Sequence, residues 1–327
     1  MDKRIFQKLL HEELITHSEF EKVVSQEFEP VSVHWDLRML LYLGIVLLTT
    51  ALGILVYENI DTIGHSVIII SIGILCAGCF WYCTKNAQKY SREKITSINI
   101  WFDYILLLGC LLLLTFVGYL QFEYNVFGNR WGLATFIPMV LLFTAAYYFD
   151  HLGVLSIAIV NLATWVGITV TPLQILRSND FGSTRLIFSG LVLGALLVTV
   201  SFASVYYHIK AHFYFTYKNF GCHIFLISLL AATFNFEQLY FLWFLALLAT
   251  CYFLYINALK EKSFYFLVIS ILYAYIGLSY VVVRLLFSSN AEEGAAYLGI
   301  FYFILSGIGL IMLLIHLNKL LKTNDGV

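Results

Sequence analysis

The sequence predicts an all-α fold: a polytopic transmembrane helical bundle of about ten spans, preceded by a short N-terminal cytoplasmic helical hairpin. Two bulk observations lead there. The 327 residues are 61% hydrophobic and only 12% charged, with a mean hydropathy of +0.84. Soluble domains are about 25% charged, and one buried core cannot absorb so much apolar surface, so lipid is the remaining solvent. A third observation selects helices. Apolar runs of about 20 residues recur, the length that crosses a bilayer core, whereas a β-barrel shows alternating segments of about ten.

Residues 1–36 form the expected hairpin. Ile5, Phe6, Leu9 and Leu10 recur at helical spacing. In "LITHSEFEKVV", Thr16 is a candidate N-cap and Glu19 completes a capping box. The second helix should end before Pro30, because the residue preceding a proline disfavours the α region.

The bundle occupies 37–317, with spans expected at 37–57, 62–84, 101–121, 132–150, 152–172, 185–208, 219–236, 239–257, 264–287 and 295–317. The seventh is short and carries His223. Residues 318–327 form a short cytoplasmic tail. No charged leader with a short apolar core precedes the first span, so that helix is expected to be an uncleaved anchor.

Charge tests the count. With the N-terminus inside, every lysine falls inside, in a set completed by Arg4, Arg38 and Arg92. Only Arg130, Arg177, Arg185 and Arg284 fall outside. Short basic loops resist translocation, so the bias predicts both termini in the cytoplasm and retains the seventh span. Trp101, Trp131, Tyr147, Tyr148, Tyr206, Tyr207 and Tyr217 sit near expected boundaries, where aromatic rings favour the headgroup level. All six cysteines lie in apolar runs, away from any loop where oxidation could pair them.

The stretches "LLHEELITHSEFEKVV" and "LLYLGIVLLTTALGILVYENIDTIGH" resemble a bacterial family of predicted membrane proteins known as the 2157-type domain of unknown function. Asn59 and Asp61 match the outer turn of that family's first hairpin, although Ile60 stands where many members carry Trp. "YYFDHLGVLSIAIVNLATWVGITVTP" is similar to a recurring middle segment. The resemblance covers roughly the first two spans and spans four and five. It implies a bacterial inner-membrane protein and brings no activity, cofactor or site residue.

Polar residues in or beside the spans are the functional candidates. Asp150–His151 sits between spans four and five with almost no loop. A carboxylate beside an imidazole can handle protons, but two antiparallel helices also need a polar turn there. It is the one cytoplasmic turn without Lys or Arg, so Asp150 needs a counter-ion from elsewhere. Asp103, His208 and His223 are expected in the same leaflet, where they would form a polar vestibule if they converge. Asn161, beside Thr164 and Trp165, is the deepest polar feature, suited to bonding between helices or to touching a solute at the midplane. On the outer side, Arg284 can snorkel to headgroups or meet Glu58 or Asp61.

Other patterns have plain readings. "CAGCFWYC" puts Cys76, Cys79 and Cys83 on one helix face, but no second CxxC completes a metal set. "HIKAH" places His208 and His212 at i, i+4 without the glutamate of a zinc protease, which suits a membrane-surface segment. Gly190 and Gly194 form a GxxxG packing face. Walker A, GxSxG and GxGxxG motifs do not occur. No cofactor, nucleic acid or enzymatic activity is expected. The leading expectation is a transporter-like bundle for a small solute or ion. The alternative is a sensor, scaffold or accessory protein engaging a cytoplasmic partner through residues 1–30. The lipid bilayer and a second copy of the chain complete the expected partners.

Overall fold

The computed structural model describes residues 12, 14–20, 34–58, 64–95, 100–170, 183–287 and 292–323. Their regular structure is entirely helical, with no strand among them. The chain divides into two compact units, Met1–Ile70 and Ser71–Val327.

In the first unit, helix α1 (His34–Glu58) carries the apolar stretch Met39–Leu55, and α2 (His65–Lys85) begins. Upstream, residues 17–20 form a helical turn that starts at Thr16. The Glu19 carboxylate accepts from the Thr16 N–H at 2.8 Å, one half of a capping box. The other half differs from the expected form. The Thr16 hydroxyl donates to the same carboxylate at 2.8 Å instead of accepting from the Glu19 N–H. These two bonds hold the Glu19 carboxyl below its ordinary value. Residues 34–36 of the expected hairpin begin α1, and most of the rest lies outside the described residues.

The second unit continues α2 and adds α3 (Ile100–Tyr124), α4 (Trp131–Phe149), α5 (Leu152–Val170), α6 (Thr184–Tyr206) and α7 (Tyr214–Asn235). It closes with α8 (Tyr240–Lys260), α9 (Phe264–Phe287) and α10 (Glu292–Thr323). Eight of these helices, α2–α6 and α8–α10, are long and apolar enough to cross a membrane. With α1 and α7, the long helices coincide in order with the ten expected spans. Contact with a lipid bilayer follows from the exposed apolar side chains of α10, such as Leu298, Phe301 and Leu305.

Helix ends differ from hydropathy ends for one physical reason: hydropathy marks the lipid layer, while backbone hydrogen bonding carries a helix past it. The tenth helix therefore runs from Glu292 to Thr323, well beyond 295–317. The seventh begins at Tyr214, following a 3₁₀ turn at Ala211–Phe213. Its first five residues, Tyr214 to Lys218, lie outside the expected span.

Core packing explains how so polar a helix is kept. Leu106, Cys110, Leu142, Leu155 and Leu197 form one buried cluster together with Tyr217 of α7. Leu226 of α7 joins Leu247, Leu254 and Leu267 in another. Helix α7 packs against α5, α6, α8 and α9. Its closest approach is to α6, where a Cβ on Gly194 would stand 2.7 Å from the Phe225 backbone nitrogen. The GxxxG face is thus consumed inside the chain.

Candidate functional site

The α4–α5 turn is built by backbone geometry first. Asp150 adopts the left-handed conformation (φ 57°, ψ 44°) that closes many helices. Its N–H and that of His151 both reach the Ala146 carbonyl. Aspartate tolerates this conformation better than most residues with a Cβ. His151 then caps α5, its Nδ1 accepting from the Val154 N–H at 3.1 Å. Helix reversal is complete within two residues.

The turn aims the Asp150 carboxylate inward, where it is 1% exposed. Three donors meet it: the Ile95 N–H at 2.6 Å, Lys210 Nζ at 3.0 Å and His212 Nε2 at 2.7 Å. Lys210 is fully buried and also adopts the left-handed conformation. Its N–H bonds the Arg92 carbonyl at 2.9 Å, and its ammonium lies 5.4 Å from the Tyr90 ring centre. Ser204 secures the turn by donating to the Ile209 carbonyl at 2.8 Å. Asp150 thereby joins the α2–α3 connector, the α4–α5 turn and the α6–α7 turn.

His151 sits beside this cluster. Its Nε2 lies 3.9 Å from Asp103 Oδ1, an approach too long for a hydrogen bond. With Nδ1 engaged as an acceptor, the network assigns the single ring proton to Nε2. Burial pushes the imidazole below its ordinary value, outweighing the opposing pull of Asp103 and Asp150. Hydrogen-bond geometry and burial both favour a neutral ring. Asp103, Asp150 and His151 therefore share one end of the bundle, two of them in contact.

His223 and Asn161 belong elsewhere. His223 Nδ1 meets the Tyr273 hydroxyl at 2.9 Å, and its Nε2 lies 3.4 Å from the Tyr265 hydroxyl, which in turn donates to Asn219 at 2.8 Å. One turn away on α7, Lys218 pairs with Glu261 at 2.5 Å and bonds Tyr214 at 2.9 Å. Asn161 donates to the Thr135 carbonyl at 2.9 Å, joining α5 to α4. Arg284 donates to the Tyr280 hydroxyl at 3.0 Å and the Glu237 carbonyl at 3.3 Å, with its guanidinium 4.3 Å from the Tyr240 ring. Asn59 and Asp61 lie outside the described residues.

Lys210 and His212 are the residues that sequence reasoning did not place in the site. Their signal was indirect. The Asp150 turn lacked a cation, while "HIKAH" offered two basic side chains in another turn expected on the same side. The pattern, expected as a membrane-surface segment, presents His212 to the Asp150 carboxylate. Among the cysteines, Cys76 lies 3.6 Å from the Gly109 carbonyl, a helix-packing contact.

Over residues 7–155, the chain matches the family described as "Predicted membrane protein (DUF2157)". The DUF2157 match takes in α1–α4 and the Asp150–His151 turn, then ends early in α5. It stops short of Pro172, where the resemblance read from the sequence ended, and lies wholly upstream of Lys210 and His212. No curated protein and no solved structure matches.

Proposed function

We propose that this protein is a transporter-like bundle for a small ion or solute in a bacterial cytoplasmic membrane. Both termini face the cytoplasm, and a polar route follows α7. The single observation supporting this reading is the placement of α7. The helix richest in polar groups is surrounded by α5, α6, α8 and α9, while strongly apolar helices such as α10 face outward. Its polar side chains reach in different directions: Tyr217 to Tyr147 at 3.0 Å, Lys218 to Glu261, and His223 to Tyr273. Burying such groups in lipid is costly, so their retention suits a path for polar cargo. The Asp150 cluster lies near the start of α7 and would act as its cytoplasmic gate. The role is non-enzymatic.

Proton flux is the first cargo to test. Proteoliposomes loaded with a pH-sensitive dye and driven by a potassium diffusion potential should acidify faster than empty liposomes. Asp103→Asn and His223→Gln should each lower the rate at least tenfold with unchanged incorporation. Wild-type flux at the empty-liposome level would remove the proton reading. The accessory reading draws on the capped, exposed helix start at Thr16. It gains if deleting residues 1–30 loses a co-purifying protein while flux stays the same.

A further inference from the structure

Away from the ionic cluster, an open apolar groove of about 580 Å³ runs along the second unit. Phe80 and Thr84 of α2 form one wall, Leu113 of α3 the floor, and Leu141, Thr144 and Tyr148 of α4 the other wall. Tyr90 of the connector also borders it. The volume lies within the ~300–1,000 Å³ range of small-molecule sites. From Leu141 to Phe149 the α4 wall rises about 12 Å at 1.5 Å per residue. The groove therefore extends from the connector level partway into the hydrocarbon layer. Its shape and lining suit a chain of methylenes better than a polar solute.

At the connector end the charge changes character. Lys85, Lys89, Arg92 and Lys94 are all exposed there, against the single acid Glu93. Such a cluster immediately beside a membrane helix attracts anionic lipid, at about 1 kcal/mol per cation. The Lys210 ammonium behind Tyr90 adds no free charge, because Asp150 neutralises it. An apolar slot ending beneath an exposed basic loop is complementary to a molecule with an acyl tail and a phosphate head.

We propose that this groove is a binding site for one anionic phospholipid, with an acyl chain between α2 and α4 and its phosphate on Lys89, Arg92 and Lys94. The site is independent of the transport reading, since neither α7 nor the Asp150 carboxylate takes part in it.

The full chain, purified in nonionic detergent, can be titrated with phosphatidylglycerol or with phosphatidylcholine of identical chains and read by native mass spectrometry. Phosphatidylglycerol should bind roughly a hundredfold more tightly. Replacing Lys89, Arg92 and Lys94 together with Gln should weaken it roughly a hundredfold, to the phosphatidylcholine level. Thr144→Trp, at an exposed groove position, should weaken both lipids without lowering the melting temperature. Leu141→Trp blocks the same slot from another position and serves if Thr144→Trp is poorly folded. Equal binding of the two lipids to the wild-type protein overturns the proposal. So does wild-type phosphatidylglycerol binding by folded groove variants.

Discussion

Lys210 and Lys218 flank the start of α7, and each meets a carboxylate supplied by a different turn, at 3.0 and 2.5 Å respectively. Their chemistry is alike and their solvent is not. Lys210 and Asp150 are 0% and 1% exposed, whereas Glu261 keeps 39% of its side chain in contact with the surroundings. Removing one partner of a buried pair strands a charge in a medium that cannot solvate it. In the second pair only Glu261 can be left to its surroundings, because the Lys218 side chain is itself 4% exposed. Separation alone thus fails to rank the two pairs: the shorter contact is the weaker constraint on the fold. The Asp150 pair ties three connectors together and is buried on both sides, while the Lys218–Glu261 pair is buried only on the lysine side.

The largest expected effect is at Asp150. Asp150→Asn keeps the size of the side chain but strands the Lys210 ammonium, and should cost about 3–5 kcal/mol in denaturant unfolding in micelles. The double variant Asp150→Asn with Lys210→Met should recover part of that loss. An unchanged unfolding midpoint for Asp150→Asn would break the contrast between the pairs.

An intermediate effect concerns pH. The folded protein holds His151 below its ordinary value near 6.5, so the unfolded chain binds more protons in that region. Stability from this group is complete above about pH 6.5 and is lost as pH falls toward the folded value, by at most about 1.4 kcal/mol per pH unit. His151→Asn retains an N-cap acceptor without a titrating ring, and should flatten stability between pH 6.5 and 5. An unaltered slope would assign the acid loss to other groups.

The smallest effect is expected at Lys218, whose partner Glu261 is the exposed member of the pair. Lys218→Met should lower stability by about 1 kcal/mol or less, with the difference from wild type shrinking as salt rises. A loss as large as that of Asp150→Asn would show the two pairs to be equally buried in the membrane.

Much of this architecture was legible beforehand because helix and bilayer share a length scale. Runs of about 20 apolar residues identify spans whatever their neighbours, and boundaries such as 264–287 coincide with α9. The seventh span was the difficult one. Lys218, Asn219 and His223 lower its hydropathy, and the bonds to Glu261, Tyr265 and Tyr273 that accommodate them come from distant residues. The site was legible in halves. Asp150 was singled out because it lacked a local cation, and "HIKAH" because it had two histidines. Joining them required the separation of 62 residues between Asp150 and His212 to be closed in space.

The sequence by itself determined an all-helical membrane protein with a polar turn at Asp150–His151 and a small-residue face at Gly190–Gly194. Those properties depend on local composition and on periods of a few residues. Tertiary structure decided that Lys210 neutralises Asp150, that burial disfavours a charge on His151, and that the glycine face receives α7. Such outcomes depend on desolvation and close approach between segments far apart in the chain. Hydropathy cannot register them, because it scores each residue as though its only neighbour were solvent.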